Sequence, residues 1–451
     1  MFKITAIAAL AATCGYAAAA PDVICGRLDD VNFYGTIGGV SAYSIGTTAC
    51  NKGTVELDWI DNTPNHPVIS VNVFRMSEGR MEQLGVTFVK HSFASVNGNA
   101  CGFGCTGGAF DSLGVGCSDP YGAGLNGDQP GLGPRSEINA VTGDFVYPFS
   151  SRNQSGNAIF KRCQVKRSDM QTPGAVYFVE GQYIIKDENG ARNSEGEPTS
   201  FNNVSYKRLS VQISGSASTT GGTFQEQSAL MAWQANGNGV NQPDENITVV
   251  PIWVPGEDGK IEVASRAIDQ GDGTWRYEYA VHNQNSHKSV GSFTVPMSSA
   301  ATDHYFHDVD YHDSVDANLS AADWAPVEGG NAISWACEPA IVNSNANAIR
   351  WGTTYNFSFV TDAAPTTGDV TVGLWRDPNT SVTATVTVPS AGSTPCNEAD
   401  INADGELDFF DVSEFLDLFG AGDPSVDFDK DGEYTFFDVS AFLDFFGEGC
   451  P

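Results

Sequence analysis

The chain has 451 residues, with 55 acidic and 23 basic side chains, a formal net charge of −32 and ten cysteines. No basic cluster offsets this acidity, which excludes nucleic acid and anionic membrane surfaces as partners. Its length supports two domains of ordinary size with material to spare.

Met1-Phe-Lys3 opens an apolar, alanine-rich run that ends at Tyr16-Ala-Ala-Ala-Ala20. This is the pattern of a secretory signal peptide over residues 1–20, cleaved after Ala20. No later stretch reaches the roughly 20 apolar residues that span a bilayer. The expectation is a secreted protein, extracellular or at the cell surface and not membrane-spanning. In an oxidising compartment the remaining cysteines read as bridges rather than metal ligands. That includes Cys101-Gly-Phe-Gly-Cys105 with Cys117, although this trio has something of a metal knuckle. How Cys25, Cys50, Cys101, Cys105, Cys117, Cys163 and Cys337 pair stays open, and at least one is left over.

Residues 21–240 read as a β-rich, disulfide-bearing domain. Val55/Leu57/Trp59, Leu84/Val86/Phe88 and Leu209/Val211/Ile213 alternate as half-buried strands do. Ser95 to Arg162 is dense in turn residues and reads as long loops held by cysteines rather than as further core. The apolar stretch Ala175–Ile185 suggests a buried central strand, bent at Gly181. A polar segment, 236–243, marks the boundary.

Residues 244–388 read as a β-sandwich, with an immunoglobulin-like or fibronectin-like topology as the fold-level expectation. Trp275/Tyr277/Tyr279/Val281, Tyr355/Phe357/Phe359 and Val382/Ala384/Val386/Val388 carry its alternation. The fold class is therefore mainly β, closing on a small helical module. Trp324, Trp335 and Trp351 are candidates for stacking on sugar rings, against the commoner role of buried sandwich tryptophans.

Three constellations in these domains bear on chemistry. Asp303 to Asp313 gathers His304, His307 and His312 among aspartates. As a strand it would put Asp308, Asp310 and His312 on one face, where they could hold a divalent ion. His66 and His91, at the ends of neighbouring strands, could meet and bind a transition metal. Phe110-Asp-Ser112-Leu-Gly114 is reminiscent of an esterase nucleophile block, but no histidine follows an aspartate by three residues to serve as base, so no catalytic residue is assigned.

Pro389 to Pro395 reads as a linker, and residues 396–451 as a separate module. They hold 16 acids and one lysine. Asp400, Asn402, Asp404, Glu406 (through its carbonyl), Asp408 (directly or through water) and Asp411 stand at positions 1, 3, 5, 7, 9 and 12 of a calcium loop. Asp427, Asp429, Asp431, Glu433 (carbonyl), Thr435 and Asp438 repeat the pattern, and the glycine at position 6 is present both times. Hard Ca²⁺ takes six to eight oxygens, and this spacing wraps the chain around one ion per loop, two in all. Each loop leads into a helix with an apolar stripe, Val412/Phe415/Leu416/Phe419 and Val439/Phe442/Leu443/Phe446, with Gly420 and Gly447 as the expected C-caps. Cys396 and Cys450 bracket the module, and a bridge between them would tie its ends together.

This tandem unit resembles the dockerin family, in particular the bacterial dockerin-like modules that close on Gly-Cys. The resemblance covers about 55 residues. It implies a calcium-dependent interaction with a cohesin-like partner read by loop positions 10 and 11, here Phe409-Phe410 and Phe436-Phe437. Small hydroxyl residues are frequent at those positions in the family, so any contact here would be apolar. Near-identity of the repeats implies two binding orientations related by a half turn. The expected function is calcium-dependent anchoring of a non-catalytic ectodomain to a cohesin-like or cell-surface partner. The alternative is a polysaccharide-degrading hydrolase or a carbohydrate-binding accessory.

Overall fold

The computed structural model describes residues 20–309, 319–329, 331–390, 396–401 and 407–450. Residues 1–19, nearly all of the stretch read as a signal peptide, residues 391–395 of the stretch read as a linker, and Asp310, His312, Asn402, Asp404 and Glu406 lie outside the described residues. The chain is mainly β: two sheet stacks, followed by two helices near the C-terminus.

In the first stack, Val176–Ile184 lies between Val204–Val211 and Val68–Ser77 in a seven-stranded sheet, as its unbroken apolar character predicts. Both ladders run through Gly181 without a register shift, so the strand is not bent there. A side chain at Gly181 would lie 2.7 Å from Leu28 Cδ2 and 3.1 Å from Cys25 Sγ, so the glycine admits the facing strand Val23–Ile37. That strand, Val40–Asn51, Cys163–Lys166 and Ser118–Tyr121 form the opposing four-stranded sheet, and Tyr43, Ile45, Val71, Val179 and Tyr183 fill the space between.

Residues 95–162 are largely loops. Cys50–Cys101 and Cys105–Cys117 staple them, so this trio of cysteines is bridged rather than metal-bound. Cys25, Cys163 and Cys337 are free thiols. The segment still supplies core, contrary to the reading from composition: Leu113, Tyr121 and Leu132, on short strands, and Ile138 are buried. Ile213, expected on a strand, is 90% exposed because its strand ends at Val211.

The second stack is a sandwich of two five-stranded antiparallel sheets. Thr248–Trp253, Lys260–Asp269, Trp275–Asn283, Thr353–Thr361 and Thr302–His307 form one sheet, in that spatial order. Its ten strands exceed the seven or nine of immunoglobulin domains. Tyr277, Tyr279, Phe293, Trp335, Phe357 and Phe359 pack between the layers. Among the described residues, strands on either side of the 236–243 segment pair with their own side, yet the two stacks share a core. Phe74, Met81, Tyr206, Trp233, Ala264 and Ala280 form one apolar cluster across the junction. The Arg80 guanidinium donates to both oxygens of the buried Glu278 at 3.0 and 2.7 Å.

The strand Ser381–Pro389 takes in Pro389, the first residue assigned to the linker. Beyond it come the helices Phe409–Ala421 and Phe436–Glu448.

Candidate functional site

The C-terminal module is built from the near-repeat. In each half the residue at loop position 9 caps the helix that follows. Phe410 N–H donates to Asp408 Oδ1 at 2.7 Å, and Asp408 N–H donates to Asp411 Oδ2 at 2.9 Å. In the second half, Phe437 N–H donates to Thr435 Oγ1 at 3.1 Å and Thr435 N–H to Asp438 Oδ2 at 2.8 Å. These are reciprocal capping boxes. Loop positions 9 and 12 thus hold a helix N-terminus, and the dipole there favours the negative charge of Asp408, Asp411 and Asp438.

Phe415 and Phe442 join the two halves, their rings stacked with centroids 4.1 Å apart. Ala399 and Val426 complete the buried centre, with Val412, Leu418, Phe419, Val439, Phe445 and Phe446 around it. The apolar stripes are therefore corrected in part. Leu418 and Phe445 turn inward, while Leu416 and Leu443 are 57% and 55% exposed. The glycine caps shift as well. Each helix runs past Gly420 or Gly447, and the C-caps are Gly422 and Gly449. The Cys396–Cys450 bridge closes the module across 54 positions, which by loop entropy adds about 4 kcal/mol.

Asp427, Asp429 and Asp431 converge in the second loop, with one ligand oxygen of each within 4.8 Å of the others. Gly432 N–H donates to Asp427 Oδ2 at 3.0 Å, Glu433 N–H to Asp431 Oδ1 at 2.8 Å and Asp429 N–H to Asp438 Oδ1 at 3.3 Å. The chain turns back at Gly432 with φ of 83°, the conformation that calls for glycine at position 6. The other Asp427 oxygen, Oδ1, is buried without a hydrogen-bond partner. Loss of solvent, with Asp431, Asp438 and Asp427 nearby, raises the Asp429 carboxyl above its ordinary range. Backbone N–H groups, Thr435 foremost, hold Asp438 below it. Crowded carboxylates and an orphaned buried oxygen are the donor set that suits a hard divalent cation. Glu433 is exposed.

In the first loop, Asp400, Asp408 and Asp411 are described. Asp400 and Asp411 are buried, and Cys396 N–H donates to Asp400 Oδ2 at 2.9 Å.

At the first turn of each helix an aromatic pair faces solvent. Phe409, Phe410, Phe436 and Phe437 are 76%, 66%, 75% and 69% exposed. Leu416 and Leu443, seven residues after Phe409 and Phe436, extend each patch along its helix, a role that the stripe reading missed.

The other candidates fall out differently. Trp324, Trp335 and Trp351 are at most 5% exposed and belong to apolar clusters, so they form no sugar platform. The strand through His304 and His307 ends at His307. His304 pairs with Glu328 at 3.0 Å, and His307 Nε2 lies 3.1 Å from the Gln83 carbonyl, so the two have separate partners. Asp308 accepts from Asn347 Nδ2. Ser112 donates to Glu56 Oε2 at 2.9 Å, a carboxylate and not a histidine. His66 and His91 do meet, with ring centroids 5.5 Å apart, and Phe145 packs against both. Among the described residues no helix is long and apolar enough to cross a membrane.

No family model matches the chain, and no curated protein matches it. Among solved structures, similarity is found to the serine-rich repeat adhesion glycoprotein Srr1 from Streptococcus agalactiae. It is 10% identical, over 81% of this chain and 97% of that one, with a TM-score of 0.20. The exo-chitosanase CsxA from Amycolatopsis orientalis is 10% identical over 76% of this chain and 25% of that one, with a TM-score of 0.15. Scores this low carry no weight for topology or activity.

Proposed function

We propose that residues 396–451 form a dockerin-like module that binds two Ca²⁺ ions and anchors the secreted β-rich ectodomain to a cohesin-like or cell-surface protein. The observation that carries this reading is the exposure of six large apolar side chains on twin helices: Phe409, Phe410 and Leu416, then Phe436, Phe437 and Leu443. Exposed aromatic groups on a small rigid unit are the material of interface anchors. Their placement directly after the acidic loops couples the patch to the ions. A filled loop fixes positions 9 and 12, these fix the first helical turn, and that turn presents the aromatic pair. The capping boxes support this coupling, and the orphaned Asp427 oxygen supports the ion. The three bridges suit an oxidising, extracellular setting.

The test uses the full chain as bait against the native secreted and envelope proteins, in Ca²⁺ and in EDTA. Alongside it runs a variant carrying Phe409→Ala, Phe410→Ala, Phe436→Ala and Phe437→Ala. The expected result is one partner retained in Ca²⁺, released by EDTA and absent with the variant. Retention that ignores both EDTA and the substitutions would refute anchoring through this face.

A further inference from the structure

A cleft of about 950 Å³ opens where the two sheet stacks meet, bounded by the start of the first strand, the 192–202 loop and the end of the strand Thr248–Trp253. Its volume lies within the range of ligand sites, and a junction between two folded units is where such sites concentrate. Trp253 stands in its wall. Of the eight tryptophans it alone is exposed, at 48%, while Trp59, Trp233, Trp324, Trp335, Trp351 and Trp375 are buried and Trp275 is half-buried.

The ring is fixed in place. Trp253 Nε1 donates to the Glu257 carbonyl at 3.1 Å, and Phe201 meets the indole edge-on at a centroid distance of 5.8 Å. The Arg192 guanidinium lies 5.6 Å from the indole centroid and is itself clamped by two 2.8 Å bonds to Asp258. An exposed aromatic ring held on several sides is a platform whose ordering cost is already met before a ligand arrives.

The charges around the cleft select the ligand. Each lining cation already has a carboxylate partner: Lys52 with Glu226 at 2.7 Å, Arg192 with Asp258 at 2.8 Å and Lys260 with Glu262 at 2.9 Å. Glu195 and Glu197 are exposed on the rim. An anionic ligand would meet no uncommitted cation among these and two carboxylates. Oxygen acceptors remain in the lining: the exposed carboxylates of Glu195 and Glu197, and the unpartnered Asp22 Oδ1, Thr199 Oγ1 and Asn202 Oδ1, which are buried from water. A flat aromatic face combined with oxygen acceptors matches a pyranose ring, which has an apolar C–H face and hydroxyl donors.

The geometry points to a neutral-glycan binding site in this cleft, with Trp253 as its stacking platform. The site is separate from the C-terminal module and does not depend on anchoring.

The full-length protein is titrated in Ca²⁺ with cellohexaose, xylohexaose, mannohexaose and hexagalacturonic acid, following tryptophan fluorescence and calorimetric heat. At least one neutral hexasaccharide binds and perturbs the fluorescence, and hexagalacturonic acid does not bind. Trp253→Ala weakens that binding at least about tenfold. Trp253→Phe, which keeps an aromatic face, retains part of it and controls for misfolding, as does an unchanged circular dichroism spectrum. If no neutral hexasaccharide binds at millimolar concentration, the inference is overturned. Preference for the acidic sugar, or wild-type binding by Trp253→Ala, overturns it equally. Substituting the four phenylalanines of the module leaves glycan binding unchanged, which separates this result from the anchoring test.

Discussion

Residues 396–451 carry 16 acids and one lysine, whereas the 395 residues before them carry 39 acids and 22 basic residues. The ectodomain spends its cations on buried carboxylates: Arg75 on Glu82 at 2.5 Å, Arg80 on Glu278 at 2.7 Å and Arg266 on Asp244 at 2.6 Å. In the module the buried Asp411 and Asp438 are met by backbone N–H groups at their helix N-termini. The two regions also differ in core. Four fully buried apolar residues centre the module, while each sheet stack buries more than twenty. The ectodomain carries much of its own counter-charge and a large core; the module has one lysine against 16 acids and a small core.

Removing divalent cations is the strongest way to break that comparison. With free Ca²⁺ a thousandfold above Kd, each filled loop stabilises the folded module by about 4 kcal/mol. Calorimetry of the full chain in EDTA is expected to lose or sharply lower the module's transition and leave the ectodomain's in place. An EDTA-insensitive module would mean that its loops stand without ions. The converse effect lies at the sheet junction. Arg80→Met removes both guanidinium bonds to the buried Glu278 and leaves it Arg276 Nε at 3.2 Å, and the expected loss in urea denaturation is about 3 kcal/mol of ectodomain stability. Desolvation already pushes the Glu278 carboxyl up, so the Arg80→Met/Glu278→Leu double variant recovers much of that loss. The module's transition stays put in both variants.

Legibility from sequence divides along the same line. The repeat itself was readable because its residue types recur at fixed offsets, and of the loop positions it singled out, Asp427, Asp429 and Asp431 do converge. Its helix faces were not. Phe409, Phe410, Val412, Phe415, Leu416, Leu418 and Phe419 put apolar groups nearly all around one helix, so periodicity could not separate the face that packs from the face left in water. In the ectodomain, alternation identified strands such as the one through Tyr277 and Tyr279, and the central position of Val176–Ile184. What it left dark was set by tertiary approach. Gly181 reads as a bend and serves as clearance, and Trp324, Trp335 and Trp351, weighed between sugar stacking and the commoner buried role, prove to be core. Trp253 did carry a signal. In Pro251-Ile-Trp-Val-Pro255 the inward Ile252 turns its neighbour outward, but only the fold shows that a cleft lies in front of it.

A smaller effect sharpens the contrast from the ectodomain side, where burial holds an ionisable group neutral. His91 stacks on Phe149 with centroids 3.9 Å apart, and both its ring nitrogens are buried without a partner. Desolvation, then the nearby His66, Lys90, Arg152 and Lys161, push its pKa down to about 2. The folded state therefore binds fewer protons at this site than the unfolded chain, whose histidines titrate near 6.5. Stability from His91 is complete above that value and is lost as pH falls below it, by about 2 kcal/mol between pH 7 and pH 5. His91→Phe keeps a ring against Phe149 and removes the titration. The buried Asp119, which desolvation raises to about 6, changes stability in the opposite direction, gaining as pH falls, but is common to both proteins and drops out of the difference. Urea denaturation at the two pH values is expected to show the variant losing about 2 kcal/mol less than the wild type. An equal loss in both would mean that protonated His91 finds a partner or opens to water, and that burial does not hold this site neutral.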